Sequence, residues 1–253
     1  MPSPIAATGF EDRFSSQASV YAAHRPIYPD ALFEFLAAVS PTRAVAWDCG
    51  TGNGQAAHAL GRRFDRVIAT DASSDQIAQA VPAPRIEFHV AAAEHTAIAS
   101  RTISLITVAS ALHWFNLPAF YQEARRVLIP GGVLAAWAYR ECVISPEIDA
   151  LITHYQNDLV GNFWSSRIAL VAARYATIAF PLEPLQAPDF VATALFSAND
   201  MLGYLASWSA SQSYLDAHGS AATTIIESEL RTLWGNQQRS VRWPLFMKLG
   251  RFA

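Results

Sequence analysis

The sequence predicts an α/β protein in which a mostly parallel sheet is wound on both faces by helices. Three observations carry this. Strand-like apolar runs alternate with helical patterns over about 100 residues, the rhythm of a parallel, doubly wound sheet. One run, ISLITVA at 103–109, is continuous rather than alternating, as a strand buried on both faces requires. And the first strand runs straight into Gly50, Gly52 and Gly54, three glycines in five positions, with a helical pattern behind them.

Taken in order, residues 1–9 read as a frayed leader and 10–25 as a helix, with Phe14, Ala18 and Tyr21 at helical spacing. Pro26 and Pro29 make an extended elbow carrying Tyr21, His24, Arg25 and Tyr28 ahead of the first strand. Pro29 then opens a helix at 30–39, where its missing N–H costs nothing. The first strand is 45–47, ending at Asp48, and the helix after the glycines covers 56–64. A second strand, 67–69, ends at Asp71, and Ser73 offers a cap for the next helix. Further strands are expected at 86–90, 103–109 and 133–139. Between the last two lies an amphipathic helix at 117–128, stopped by Pro130-Gly131-Gly132. Beyond Tyr139 the alternation weakens. Helices are expected at 146–160, 167–177, 199–208 and 221–234, and strands at 189–196 and 240–249, which makes a helical insertion before the sheet is completed. Tyr155, Trp164, Tyr204, Trp208, Tyr214, Trp234 and Trp243 form an aromatic-rich set there, suited to lining a pocket.

With 253 residues, 52% hydrophobic and 15% charged, the chain supports one large domain with a sizeable core. A formal charge of −3 gives no electrostatic reason to expect nucleic acid or an anionic membrane as partner. Cys49 and Cys142 have neither CxxC nor Cys/His ligand spacing, so no metal is expected and a reducing, cytoplasmic setting is the default. The N-terminus lacks the pattern of a signal peptide. No apolar run approaches the roughly 20 residues of a membrane helix.

A glycine turn opening a helix at the carboxyl edge of a parallel sheet presents amides and a partial positive charge to a ligand. A carboxylate roughly 20 residues on, ending the next strand, is placed to accept a ribose diol. The ligand should therefore contain a nucleoside. Read as Gly52-Asn-Gly54-Gln-Ala-Ala57, the turn fits the dinucleotide pattern G-x-G-x-x-A. Read as Asp48-Cys-Gly50-Thr-Gly52-Asn-Gly54, it resembles the D-x-G-x-G-x-G loop of class I S-adenosylmethionine-dependent methyltransferases, whose second acidic position matches Asp71. The resemblance extends to Ala109-Ser-Ala-Leu-His113-Trp114-Phe115 and to Glu123-Ala-Arg-Arg-Val-Leu-Ile-Pro130-Gly-Gly, which look like the signature of the type 11 group. The elbow Tyr21…Arg25-Pro26-Ile-Tyr28-Pro29 and the tail segments Gly203–Ser209 and Val241–Pro244 are similar to its trans-aconitate-methyltransferase-like branch.

The resemblance implies a Rossmann-like seven-stranded sheet of order 3-2-1-4-5-7-6 with the last strand antiparallel, and S-adenosylmethionine as cofactor. Asp48 would sit near the methionine ammonium, directly or through water, with Gly50, Gly52 and Gly54 letting backbone approach. Asp71 would take the ribose, Ala72 and Ala93 would lie beside adenine, and Arg25 would meet the cofactor carboxylate. The family often has Asp two residues before the Glu, and this chain has Ala92 instead, leaving Glu94 or a water for the exocyclic amine. Ala109 and Ser110 would flank the sulfonium. His113, Trp114, Tyr21 and Arg140 would form the methyl-transfer site.

The branch further implies a small acid methylated on a carboxylate oxygen, which arrives ionised and needs no base. Arg25, His113, Arg140 and Arg167 are then the candidate cationic anchors. The expected layout is one domain over 1–253: a helical cap at 10–40, a cofactor core at 41–140, and substrate-side helices with the last two strands at 141–253. A monomer and a homodimer are both compatible with it. Two other classes remain open on the sequence: an NAD(P)-dependent oxidoreductase using Gly52, Gly54 and Ala57, and a cofactor-binding protein without turnover. Against the first, the chain has one lysine, Lys248, and no Tyr-x-x-x-Lys pair.

Overall fold

Among the described residues eight strands share one sheet, and the glycine turn lies at its centre. The structure, a computed structural model, describes residues 26–252. Tyr21 and Arg25, the helix expected at 10–25 and most of the elbow lie outside the described residues. Helix α1 (Asp30–Val39) begins directly after Pro29, as expected. Strand β1 (Val45–Cys49) is flanked by β2 (Arg66–Asp71) and β4 (Ile103–Ala109), both parallel to it. Outside β2 lies β3 (Ile86–Val90), and outside β4 lies β5 (Leu128–Tyr139), again parallel. The last strand, β8 (Arg239–Arg251), runs antiparallel to β5.

Side chains alternate across this sheet, so the apolar strands feed two cores. On one face Ala46, Val67, Leu105, Ala135 and Trp137 pack under α1 and α2 (Gln55–Gly61). On the other, Trp47, Ile68, Ile106, Val108, Leu134 and Ala136 pack under α4 (Leu117–Val127) and α6 (Ile168–Ala172). The short α3 (Ser74–Ala78) is capped by Ser73, whose hydroxyl accepts the Gln76 amide. With β1, β4 and β5 apolar on both faces, a central parallel position is the one that buries them fully.

Three details depart from the sequence reading. Pro130-Gly131-Gly132 does not end before a strand but lies inside β5. The ladder passes from Ile103–Leu128 to Leu105–Val133, so the extra residues bulge out and the strand resumes. The sixth strand of the expected order is split into β6 (Glu183–Pro184) and β7 (Val191–Phe196), which gives eight strands, ordered 3-2-1-4-5-8-6 with β7 also on β8. Strand β8 serves both pieces, pairing with β7 up to Pro244 and with β5 from Leu245. Pro244, which has no N–H to give a ladder, sits where the partner changes. Finally, the insertion before β8 contains α7 (Ala198–Ala206), α8 (Ser209–His218) and α9 (Thr223–Trp234); α8 was not foreseen.

A third core lies past the ends of β5 and β8. Ile148, Leu151 and Tyr155 join Phe196, Met201, Tyr204, Trp208, Leu230, Trp234 and Trp243 there. Its helix α5 (Pro146–His154) continues into a π-helical turn, Tyr155–Leu159.

Candidate active site

The glycine turn is fastened to the end of β2 by its own amides. Gly50 and Thr51 donate to the Thr70 carbonyl at 2.8 and 2.9 Å, Gly54 donates to the Thr51 carbonyl, and Gly52 donates to Asp71 Oδ2 at 2.8 Å. Gly50, Gly52 and Gly54 have φ of 69°, 57° and 93°, which residues with a Cβ rarely adopt. A Cβ on Gly50 would stand 2.7 Å from that of Ala111, and one on Gly54 would stand 2.8 Å from the Phe88 ring. Above Gly52, by contrast, the nearest atom is Gln76 Oε1 at 3.7 Å, so this face of the turn is open.

Asp48 and Asp71 do different work from each other. The Asp48 carboxylate is fully buried and accepts the Thr51 and Thr107 hydroxyls, each at 2.6 Å. It also takes the backbone amide of Ala57, in the first turn of α2. Burial pushes its pKa up to about 6, against the pull of these hydrogen bonds. With no exposed surface, Asp48 braces the turn and the helix start from below. Asp71 is half-buried, its Oδ1 accepting the Ser73 amide at 2.9 Å.

This geometry also tests the ligand. A pyrophosphate needs free amides at such a turn. Here the amides of Gly50, Thr51, Gly52 and Gly54 are committed within the protein, and the Asp71 carboxylate stands beside the turn. A carboxylate there is an acceptor, suited to a ribose diol. The residues present fit S-adenosylmethionine.

Around the turn, Ala93 is buried while Ala72 is partly open. Glu94 has a partner the sequence did not suggest. Its Oε1 accepts the Asn116 amide at 2.7 Å, and Asn116 is the residue that caps α4. A carboxylate at a helix N-terminus is a stabilising placement. Ala109 and Ser110 close β4, and Ser110 is held at φ 54°, strain of the kind that collects at functional sites. Tyr28, from the described end of the elbow, reaches Ser110 Oγ with its hydroxyl at 3.2 Å.

Ser110 also borders a cavity of about 120 Å3 at the carboxyl ends of β4 and β5. Its walls bring together His113, Trp114 and Arg140 from the sequence-predicted site, and Trp164, Tyr204 and Trp208 from the aromatic set. Gln156, from the π-turn, with Tyr139, Ile168, Val171 and Ser209, completes it. Tyr155, Trp234 and Trp243 are instead fully buried core, and Tyr214 stacks on His218, 4.1 Å between ring centres. Gln156 and Ser209 were missed by the sequence reading. A lone Gln and a Ser carry no spacing signal, and only the π-turn and the start of α8 aim them here.

The electrostatics of the cavity correct one expectation. His113 is buried, and burial, followed by the nearby charge of Arg167, lowers its pKa to about 3. It is a neutral ring and not a cationic anchor. Arg167 itself donates to the carbonyls of Trp114 at 2.6 Å and His113 at 3.4 Å, so it fastens the short helix Leu112–Trp114. Among the described residues Arg140 remains as the cation on the cavity wall, paired at 3.1 Å with Glu141, whose side chain is half exposed.

Comparison with known proteins agrees with this geometry. Residues 47–136 match a family model described as a methyltransferase domain. A candidate methyltransferase of Dictyostelium discoideum is 32% identical, over 99% of both chains. A candidate type II methyltransferase of Anaeromyxobacter dehalogenans has a solved structure that superposes with a TM-score of 0.84. It is 37% identical, covering 90% of this chain and 97% of its own. A candidate S-adenosylmethionine-dependent methyltransferase of Saccharomyces cerevisiae is 25% identical, over 73% of this chain and 76% of its own.

Proposed function

The chain belongs to the class I S-adenosylmethionine-dependent methyltransferases, and from that premise we propose that it methylates an oxygen of a small acid. This is the acceptor class implied by the trans-aconitate-methyltransferase-like branch its signatures resemble. One observation carries the reading: the cavity at the ends of β4 and β5 is walled by aromatic rings and has Arg140 as the cation on its wall. Such a site excludes water while offering a counter-charge to a carboxylate.

The cofactor, when bound, supplies a methyl already activated on a sulfonium. What remains for the chain is orientation, dryness and electrostatic support. In this proposal Asp71 holds the ribose, the face above Gly52 takes the methionine portion, and Ala72 and Ala93 lie along adenine. Ala109 and Ser110 stand beside the sulfur. Trp114, Trp164 and Trp208 shape the acceptor's side, with Arg140 as its anchor. No general base is assigned, since a carboxylate arrives ionised. The whole chain works as one domain, with 41–140 serving the cofactor and 141–253 the acceptor. The partner is a small molecule.

The test is incubation with methyl-labelled S-adenosylmethionine and a panel of small carboxylic acids, trans-aconitate among them. Base-labile label, released as methanol, is the expected result. Label found only on nitrogen or carbon acceptors would overturn the acceptor class. A chain that binds the cofactor but moves no methyl to any acceptor would overturn the activity.

A further inference from the structure

His113 is held by a residue far away in sequence that no motif marks. Tyr175 is fully buried, and its hydroxyl lies 3.0 Å from His113 Nδ1. The backbone amide of His113 reaches the same hydroxyl. An oxygen that accepts from an amide has its own hydrogen to give, and here the neighbour able to take it is Nδ1. The two rings lie 6.1 Å apart, and Tyr175 is wedged edge-on against Phe246, with 5.1 Å between ring centres. The backbone around Tyr175 is unusual: Arg174 and Tyr175 both have left-handed φ, 50° and 57°. Two consecutive non-glycine residues in that region are disfavoured and persist only where the surroundings impose them. Here the imposed turn delivers one hydroxyl to one ring nitrogen.

The other ring nitrogen is left for the cavity, which His113 lines. Among the described residues Nε2 has no hydrogen-bond partner, and it is not among the sealed, unpartnered side-chain atoms. We infer that Tyr175 is a positioning residue: its hydroxyl fixes the His113 imidazole as the Nε2–H tautomer, so that the ring offers a neutral N–H donor to an oxygen of the acceptor. The ring so held is neither a base nor a cation. Nearby charge is consistent with this role, since Arg167 disfavours an imidazolium. The destination of the N–H rests on the methyltransferase reading above; the tautomer does not.

The decisive measurement is a long-range proton–nitrogen spectrum of the full chain labelled with 15N-histidine. His113 is assigned by its loss in His113→Gln. The expected pattern is a protonated Nε2 and a bare Nδ1, unmoved between about pH 5 and 8, where an ordinary histidine titrates. In Tyr175→Phe, which keeps the ring against Phe246, the two tautomers should mix. The dissociation constant for S-adenosylhomocysteine, read by calorimetry, should stay as in the wild type. A protonated Nδ1 in the wild type, a His113 that titrates in that range, or an unchanged pattern in Tyr175→Phe would each overturn the proposal. Should Tyr175→Phe fail to fold, the wild-type spectrum alone decides the tautomer. Failure of the wild type to bind S-adenosylhomocysteine would instead sink the methyltransferase reading and leave the tautomer result standing.

Discussion

The glycine turn and the cavity at the ends of β4 and β5, in our proposal the cofactor and acceptor sides, are built by opposite strategies. Between Asp48 and Asp71 the work is done by backbone: turn amides tied to Thr70 and Asp71, three glycines at positive φ, and a buried acid bracing a helix start. Across β4 and β5 the work passes to side chains, delivered from Ser110, Arg140, Gln156, Trp164, Tyr204 and Trp208, with chain elements between them that bury their own core. A backbone site tolerates almost no change in conformation. A side-chain site tolerates replacement of any one wall at modest cost.

The sharpest way to break the comparison is at Gly50. Gly50→Ala combines a left-handed φ of 69° with a Cβ 2.7 Å from that of Ala111. We expect a loss of about 3 kcal/mol in stability by urea denaturation, from strain and overpacking together. S-adenosylhomocysteine binding should weaken with it. A stability change under about 1 kcal/mol would mean that the turn yields as easily as a side-chain wall.

The same asymmetry decides what could be read from sequence. The βαβ frame was legible because each part is local: Asp48, the glycines, the helix and Asp71 fall within one short stretch, and ISLITVA announces its own burial. The proposed acceptor cavity was legible where a motif passes through it, at Ser110, His113 and Trp114, at Arg140 just past β5, and in part in the aromatic set, through Trp164, Tyr204 and Trp208. Gln156 depends on a π-turn, and Tyr175 on two left-handed residues, features with no periodic signature. Asp48 shows a subtler limit. Its place in the motif is plain, but which way a carboxylate faces is set by Thr51 and Thr107, and Thr107 lies in another strand. Glu94 likewise has a partner that its place in the motif does not announce, the Asn116 amide 22 residues on.

Asp71 separates bracing from binding. It anchors Gly52 and Ser73 and, in our proposal, the ribose. Asp71→Ala should weaken S-adenosylhomocysteine binding by about 2 kcal/mol, the scale of a lost charged hydrogen bond. Calorimetry giving the wild-type constant would leave Asp71 with the turn alone.

Glu123 sharpens the comparison from the scaffold beneath. It is buried, and its carboxylate takes two nitrogens of Arg126 together with the Thr96 amide and hydroxyl. Burial raises its pKa, but these partners outweigh that and hold it at about 2. A depressed carboxylate stabilises the fold above its unfolded value, 4.5, and loses that contribution as pH falls toward 2. Glu123→Gln should therefore cost about 1.5 kcal/mol near neutrality, the scale of a lost charge-assisted bond, with the gap closing in acid. Denaturation midpoints of both proteins across pH check the sign. Cofactor affinity should not follow, because Glu123 supports α4 and not the turn.

Arg140 carries the smallest expected effect and the cleanest separation of the two sides. Its pairing with the half-exposed Glu141 contributes little to stability, so Arg140→Gln should leave unfolding within about 0.5 kcal/mol of wild type. It touches no part of the glycine turn, and S-adenosylhomocysteine affinity should be unaltered. If the cavity takes a carboxylate, loss of the cation on its wall should raise KM for an acid acceptor about fivefold, near 1 kcal/mol, and leave kcat almost unchanged. Uniform binding lost, with the methyl-transfer step intact, is the signature of an anchor. A fall in kcat at constant KM would move Arg140 into the reaction itself. An unchanged KM for acids would shift the acceptor's anchor to another polar group of the wall, such as Gln156, Ser209 or the His113 N–H.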